Sequence, residues 1–480
     1  MTTAAVILAA GKGTRFRSDM AKVLHPVLSR TMLHWVLESV RSLDLDRVVV
    51  VVGHQGEQVA AEAHAAGIEG LVTVTQAEQL GTGNAVRCAA ADGALDDVDT
   101  VLVLPGDVPL LQPEPLRELL AVHGDHAATV LTAELDDPTG YGRVLRDAYG
   151  GVQRIVEHRD ATEYERTVRE VNTSIYAFDR ALMVAELEEL RADNDQGEEY
   201  LTDVIEPLVA KSRGEGEGRA ASPGLGVAVV VGPDEAVRGV NDRAQLADAA
   251  TALRRRILHE LMHAGVTVED PATTHVGPDV RVEADALLLS GTRLEGHTRV
   301  AAGARIGPDT RVIDSIIENE AQVTYSVLVE TRVGPGAAVG PYAHLRAGTE
   351  LGRETKVGSF VEVKKSTIGR GSKVPHLSYV GDAEVGDGAN IGAATITVNY
   401  DGYDKHRTVI GDGARIGADT MLVAPVTVGA RAYTGAGSVI TTDVPDGALA
   451  VERAEQRTID GYADRRAARH ERPAVGEAGS

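Results

Sequence analysis

Residues 333–363 read VGPGAAVGPYAHLRAGTELGRETKVGSFVEV, and Val333, Val339, Leu345, Leu351, Val357 and Val363 fall at every sixth position. A six-residue period suits neither an α-helix, with 3.6 residues per turn, nor a strand, which alternates in twos. Three such units instead make one triangular coil, the aliphatic residue pointing into a narrow core and small residues turning each corner. The rhythm extends both ways from this stretch. One register runs through Val276, Val282, Leu288, Leu294, Val300, Ile306 and Val312, and another through Ile410, Ile416, Leu422, Val428, Thr434 and Ile440. Glycine follows several of them, as at Gly277, Gly334, Gly340, Gly352, Gly411 and Gly417. The pattern predicts a parallel β-helix over residues 266–462, interrupted by a projecting loop at Asn399–Arg407 (NYDGYDKHR). Residues 463–480 have little to bury and read as a disordered tail.

Composition agrees with stacked aliphatic layers. The 480 residues include 3 Phe, 1 Trp and 12 Tyr against 52 Gly, few aromatics for a conventional large core. With 48 basic and 71 acidic side chains the net charge is −23, which disfavours nucleic acid and anionic membrane as partners. An anionic substrate would need locally placed cations. Cys88 is the single cysteine, so an intramolecular disulfide and a thiolate metal cluster are excluded. The opening MTTAAVILAAG lacks a basic leader and no apolar run nears about 20 residues, which reads as a cytoplasmic protein.

The first half has a different texture. Apolar runs at Ala4–Ala10, Arg47–Gly53, Leu71–Thr75, Thr100–Leu104, Ala127–Ala133 and Val227–Val231 alternate with helix-period stretches such as Thr31–Leu43, Thr82–Asp92 and Pro113–His123. This predicts an α/β domain over residues 1–242, a parallel sheet covered on both faces with ligands outside the strand carboxyl ends. Arg213–Gly224 reads as an exposed loop, and residues 243–265 as a linker helix.

Gly11-Lys12-Gly13-Thr14-Arg15 follows the first strand, with Lys22 shortly after. Its glycines let backbone N–H groups approach phosphate oxygens, and Lys12, Arg15 and Lys22 could neutralise a triphosphate. A glycine-rich turn with solvated basic residues fits GxG alone equally well, and the spacing is neither a Walker A loop nor a dinucleotide fingerprint. Asp107, in PGDVPL after the apolar strand VLVL, would offer Mg²⁺ a hard oxygen at a strand end. Cys88, in AVRCAAA, reads as a small core residue. On the β-helix, His376 and Tyr379 lie off the aliphatic positions in PHLSYVGD, with Arg346 and Lys364 in earlier coils and Asn390, Asn399 and Tyr400 after. Stacked coils would set two cations and a histidine side by side, though a lone histidine is more often merely solvated.

Taken together, LAAGKGTR, SDMAKVLH, QAEQLGTG, PGDVPL, GYGR, IVEH, EVNT and GVN resemble the nucleotidyltransferases that activate sugar 1-phosphates. With PHLSYVGD and NYDG, the resemblance extends over residues 4–462 to the bifunctional family that joins UDP-N-acetylglucosamine pyrophosphorylase to glucosamine-1-phosphate N-acetyltransferase. It implies a Rossmann-like nucleotidyltransferase domain followed by a left-handed parallel β-helix, arranged as a homotrimer whose acetyl site lies between chains. It also implies acetyl transfer from acetyl-CoA to glucosamine 1-phosphate, then uridylyl transfer from UTP with release of pyrophosphate. By this resemblance Gln76, Gln79, Gly81 and Thr82 hold uracil and ribose, Gly142, Glu157 and Asn172 the N-acetylated sugar, and Asp107 with Asn241 the Mg²⁺. His376 is the implied general base, with Arg346, Lys364, Tyr379 and Asn390 on the sugar phosphate and Asn399, Tyr400, Ala436 and Arg453 on acetyl-CoA. The chain departs from the pattern at Ala418, where the family has a cofactor-contacting serine, and at Ala21, Asn84 and Asp242. Ala418 forgoes one hydrogen bond, about 0.5–1.5 kcal/mol, and Asp242 could place an extra carboxylate near the metal. A single-activity enzyme with a regulatory β-helix, as in glucose-1-phosphate adenylyltransferases, and a non-enzymatic trimeric scaffold are the competing readings.

Overall fold

The computed structural model describes residues 2–194, 196–213 and 226–470. Two compact units divide near Ile257 and Leu258. The N-terminal one contains β1 (Thr3–Ala9), β2 (Arg47–Val52), β3 (Leu71–Thr75), β4 (Thr100–Pro105), β5 (Ala128–Glu134), β6 (Arg143–Arg146), β7 (Val152–Val156), β8 (Glu170–Asp179) and β9 (Val227–Val231). They form one sheet in the order β9-β5-β8-β4-β1-β2-β3, with the β6–β7 hairpin attached to β8. The expected all-parallel sheet is corrected here: β8 runs antiparallel to both β4 and β5. Its mixed sequence, EVNTSIYAFD, interrupts the continuous aliphatic run that marks its neighbours. The reversal matters to function, because it brings the start of β8 to the end of the sheet where the parallel strands finish.

Both faces are covered, as the doubly apolar strands require. Ile7, Val50 and Leu104 pack with Leu37 and Leu116 on one face, while Val6, Val49 and Val103 pack with Val86 and Met183 on the other. Helices Met32–Arg41, Thr82–Ala91 and Pro113–His123 match the expected periodic stretches. Arg213, read as the start of a loop, is instead the last residue of the helix Ile205–Arg213, and residues 214–224 of that loop lie outside the described ones.

The helix Arg243–His263 crosses the division between the units. Beyond it the chain winds as a left-handed parallel β-helix, its two- to four-residue strands aligned in three sheets of eleven, ten and nine. Successive coils pair residues 18 apart, as Leu287 with Arg305, which is three hexapeptides. The separate sequence registers are one continuous prism. Ile317, Val323, Leu328 and Val333 link the first two registers, mostly through five-residue sides that break the count while keeping these four residues inward. Buried hydroxyls stitch the coils: Thr292 donates to the Ile306 carbonyl at 2.9 Å and Ser372 to that of Gly386 at 2.6 Å. The expected disorder of 463–480 does not hold for its first part, since Tyr462–His470 form a helix with no buried residue; residues 471–480 lie outside the described ones. YADRRAARH indeed has little to bury, but an alanine- and arginine-rich segment has high helix propensity.

Candidate active sites

At the strand-end edge of the N-terminal sheet lies a cavity of about 600 Å³. It is lined by Gly11, Lys12, Gly13, Arg15, Lys22, Gln76, Gln79, Gly81, Thr82, Asp107, Gly142, Glu157, Asn172 and Asn241, so all the N-terminal candidates meet there. β1 ends at Ala9 and delivers the glycine loop; β3 delivers Gln76, and β4 delivers Asp107. Gly13 holds φ +62°, and a Cβ there would stand 2.6 Å from Lys22 Cβ, so the loop needs glycine to close over the lysine. Gly142, Glu157 and Asn172 arrive together because β6, β7 and β8 are paired flush, Val171 opposite Arg143 and Arg143 opposite Val156.

The electrostatics of this edge are specific. The Lys22 ammonium is ion-paired with Asp107 and donates to Asn241 Oδ1 at 2.8 Å. A cation thus already bridges the two oxygen ligands expected for Mg²⁺, and the hard-oxygen donor set fits that ion. Among the described residues no group of three or more His, Cys, Asp or Glu side chains could hold a metal, so phosphate and water oxygens would have to complete the shell. Asp242 is a correction: its carboxylate accepts from the Gln245 N–H at 2.9 Å and caps the following helix instead of reaching the metal position. Burial pushes the Glu157 carboxyl above the usual carboxylate range. Asn172 donates from Nδ2 to the Tyr176 hydroxyl at 2.7 Å, fixing its amide. Thr14, Tyr141 and Gly239, which lie inside the quoted motifs but were given no role, also line the cavity, as do Ser174 and Glu198, which no motif marks.

The C-terminal candidates lie on two adjoining sheets of the β-helix. His376 ends a strand of one sheet and Tyr379 opens a strand of the next. Arg346 and Lys364 hold the same position in adjacent coils, since His344–Glu362 and Leu345–Val363 are paired just before them. Arg346 donates to Glu362 at 2.7 Å, and that carboxylate strengthens its hold on the proton. Asn399 donates to Asp382 and, at 3.5 Å, to the Tyr379 hydroxyl. Lys405, missed because it sits in the irregular NYDGYDKHR loop, faces Lys364, and the proximity of the two ammoniums lowers its pKa. Two cations this close favour an anion beside them by electrostatics, with the Asp382 carboxylate offsetting part of their mutual repulsion.

A ladder of backbone bonds continues from His376: Ala394 N–H to the His376 carbonyl at 3.3 Å, Asp419 to Ala393 at 2.7 Å and Gly437 to Ala418 at 2.8 Å. His376, Ala393, Ala418 and Ala436 therefore stand in one column, a smooth track of small side chains leading to the imidazole. Ala393 was missed, being one alanine among many. Arg453 donates to the Ala436 carbonyl at 3.2 Å at the end of the track, and Asn390 lies in the same sheet as His376. His376, Arg346 and Tyr400 are exposed in the single chain.

A phosphate-ready strand edge followed by a hexapeptide prism bearing histidine and paired lysines defines an NTP transferase joined to a second, hexapeptide-type transferase. Residues 5–211 match the MobA-like NTP transferase domain, and residues 407–442 the bacterial transferase hexapeptide (six repeats). The chain is 50% identical over 469 residues to the bifunctional protein GlmU of Streptomyces coelicolor, covering 96% of this chain and 94% of that one. It is 50% identical over the same length to that of Thermobifida fusca, with the same coverage, and 47% identical over 485 residues to that of Mycobacterium sp. (strain KMS), covering 99% and 95%. The chain belongs to the bifunctional GlmU family. Among the described residues no helix is long and apolar enough to cross a membrane.

Proposed function

We infer that the chain makes UDP-N-acetylglucosamine in two steps, each on its own unit. The carrying observation is that the N-terminal candidates line one cavity while the C-terminal ones lie on adjoining sheets of the β-helix. On the β-helix, Lys364, Lys405 and the free donors of Arg346 hold the phosphate of glucosamine 1-phosphate, and Tyr379 and Asn390 its sugar. Acetyl-CoA lies along the alanine column beside Asn399, Tyr400 and Arg453. The amine attacks the thioester carbonyl, His376 accepts the amine proton, the C–S bond breaks and the thiol leaves.

In the N-terminal cavity Lys12, Arg15 and Lys22 neutralise the triphosphate of UTP, Gln76, Gln79, Gly81 and Thr82 receive the nucleoside, and Gly142, Glu157 and Asn172 orient the sugar. The phosphate oxygen of N-acetylglucosamine 1-phosphate attacks the α-phosphorus in line and pyrophosphate departs. Asp107 and Asn241 would hold Mg²⁺, which would supply charge neutralisation on the phosphates. Positioning carries the step, with no protein nucleophile.

The working form is a homotrimer in the cytoplasm, where UTP and acetyl-CoA are available. Supporting it, Tyr325, Tyr342, Phe360 and Leu377 form an exposed apolar ladder on one corner, ending beside His376. The test follows free CoA and pyrophosphate separately. His376→Ala should lose CoA release by 10²-fold or more and keep uridylyl transfer; Asp107→Ala should do the reverse. Loss of both activities in either variant would contradict two independent sites.

A further inference from the structure

Behind the nucleoside end of the cavity runs a chain of hydrogen bonds whose direction is forced from one end. Arg87 is ion-paired with Glu199, so that carboxylate is ionised and can only accept. Asn84 must therefore turn its Nδ2 toward Glu199, at 3.1 Å, and its Oδ1 toward Gln76. Gln76 in turn donates from Nε2 to Asn84 Oδ1 at 2.9 Å and to the Gly81 carbonyl at 3.0 Å. Both amide hydrogens of Gln76 are engaged by pure acceptors, and Oε1 is the atom left for a ligand. Gln76 is 4% exposed and Asn84 8%, so flipping either amide would press oxygen against oxygen with little water to relieve it.

A base edge that meets Gln76 Oε1 must present an N–H. Seated with its ring N3 against that oxygen, uracil offers N3–H, whereas cytosine in the same seat offers an unprotonated N3, and its 4-amino hydrogens reach Oε1 only if the ring shifts. We propose that Arg87, Glu199 and Asn84 act as a polarity relay that locks the Gln76 amide with its oxygen toward the nucleotide, favouring the N3–H of uracil over the bare N3 of cytosine. The proposal rests on the nucleotidyl-transfer reading above and adds the origin of its base selectivity. Asn84, Glu199 and Arg87 are positioning residues: they stand behind the cavity wall and act through Gln76. Asparagine is suited to this link because it is at once a donor to a carboxylate and an acceptor from an amide.

The test compares kcat/KM for UTP and CTP with N-acetylglucosamine 1-phosphate and Mg²⁺, in the full-length protein and three variants. Glu199→Gln keeps the shape but lets hydrogen bonds run in either direction. Asn84→Leu removes the link. Asn84→His restores it, since an imidazole can donate to Glu199 and accept from Gln76. The UTP:CTP ratio should fall tenfold or more in Glu199→Gln and Asn84→Leu and stay near wild type in Asn84→His. A merely structural role predicts equal losses with both nucleotides and an unchanged ratio, which would overturn the relay while leaving nucleotidyl transfer intact. Failure of the wild-type protein to release pyrophosphate from UTP would instead overturn the underlying reading, and the relay with it.

Discussion

At Glu157, binding and stability pull in opposite directions. Its carboxyl is pushed up by burial and by the neighbouring acids Asp203, Asp160 and Glu198, yet the sugar hydroxyls of the proposed substrate need an acceptor there. A carboxyl with a raised folded-state pKa stabilises the fold while it remains protonated, and that contribution is lost as pH rises through the raised value. Glu157→Gln should therefore be the more stable protein at pH 8, by on the order of 1 kcal/mol, with the gap closing toward pH 4. Thermal unfolding at the two pH values checks this. The same variant should lose uridylyl transfer about tenfold or more, since a charge-assisted hydrogen bond is removed. Gly13→Ala should also depress uridylyl transfer, because alanine at φ +62° is strained by about 1–2 kcal/mol and its Cβ collides with Lys22. An unchanged KM for UTP in that variant would count against the glycine loop as the phosphate cradle.

Among the elements, the coil of the β-helix is the unit of stability, and each rests only on its neighbours. Leu345 is fully buried in the layer that carries Arg346, so Leu345→Ala should cost roughly 2–5 kcal/mol in the unfolding transition of this unit alone. Acetyl transfer should fall with it and uridylyl transfer should not; a matching loss in both would contradict separate units. The coils were legible in the sequence because one aliphatic residue per six is a strict steric demand of a narrow prism. Their continuity was not, since the five-residue sides between Val312 and Val333 break the count without changing the packing. Strand β8 escaped notice for a related reason. Asn172, Thr173 and Ser174 interrupt its apolar pattern because that end lines the cavity, so the residues most informative about function concealed the element that carries them. Motif residues such as Asp107 and Asn172 could be read because fixed neighbours surround them. Lys405 and Ala393 could not: one lies in an irregular loop and the other acquires meaning only when Ala418 and Ala436 stack beyond it.

On the scale of the whole molecule, the exposed ladder predicts assembly. Tyr342 and Phe360 stack at 5.3 Å with Tyr325 5.7 Å from Tyr342, and Phe360 and Leu377 are 60% and 62% exposed in the single chain. Phe360→Asp should shift the mass measured by light scattering from trimer toward monomer and abolish acetyl transfer, leaving uridylyl transfer in place. A trimer with full activity in that variant would place the interface elsewhere. The central claim is that two chemistries run in sequence on one chain, and one dependence tests it most directly. Pyrophosphate release from UTP is measured with glucosamine 1-phosphate as the sole sugar, with and without acetyl-CoA. The account predicts CoA release first and pyrophosphate release that rises sharply when acetyl-CoA is present; equal pyrophosphate release without acetyl-CoA, or none of either product with it, would contradict it.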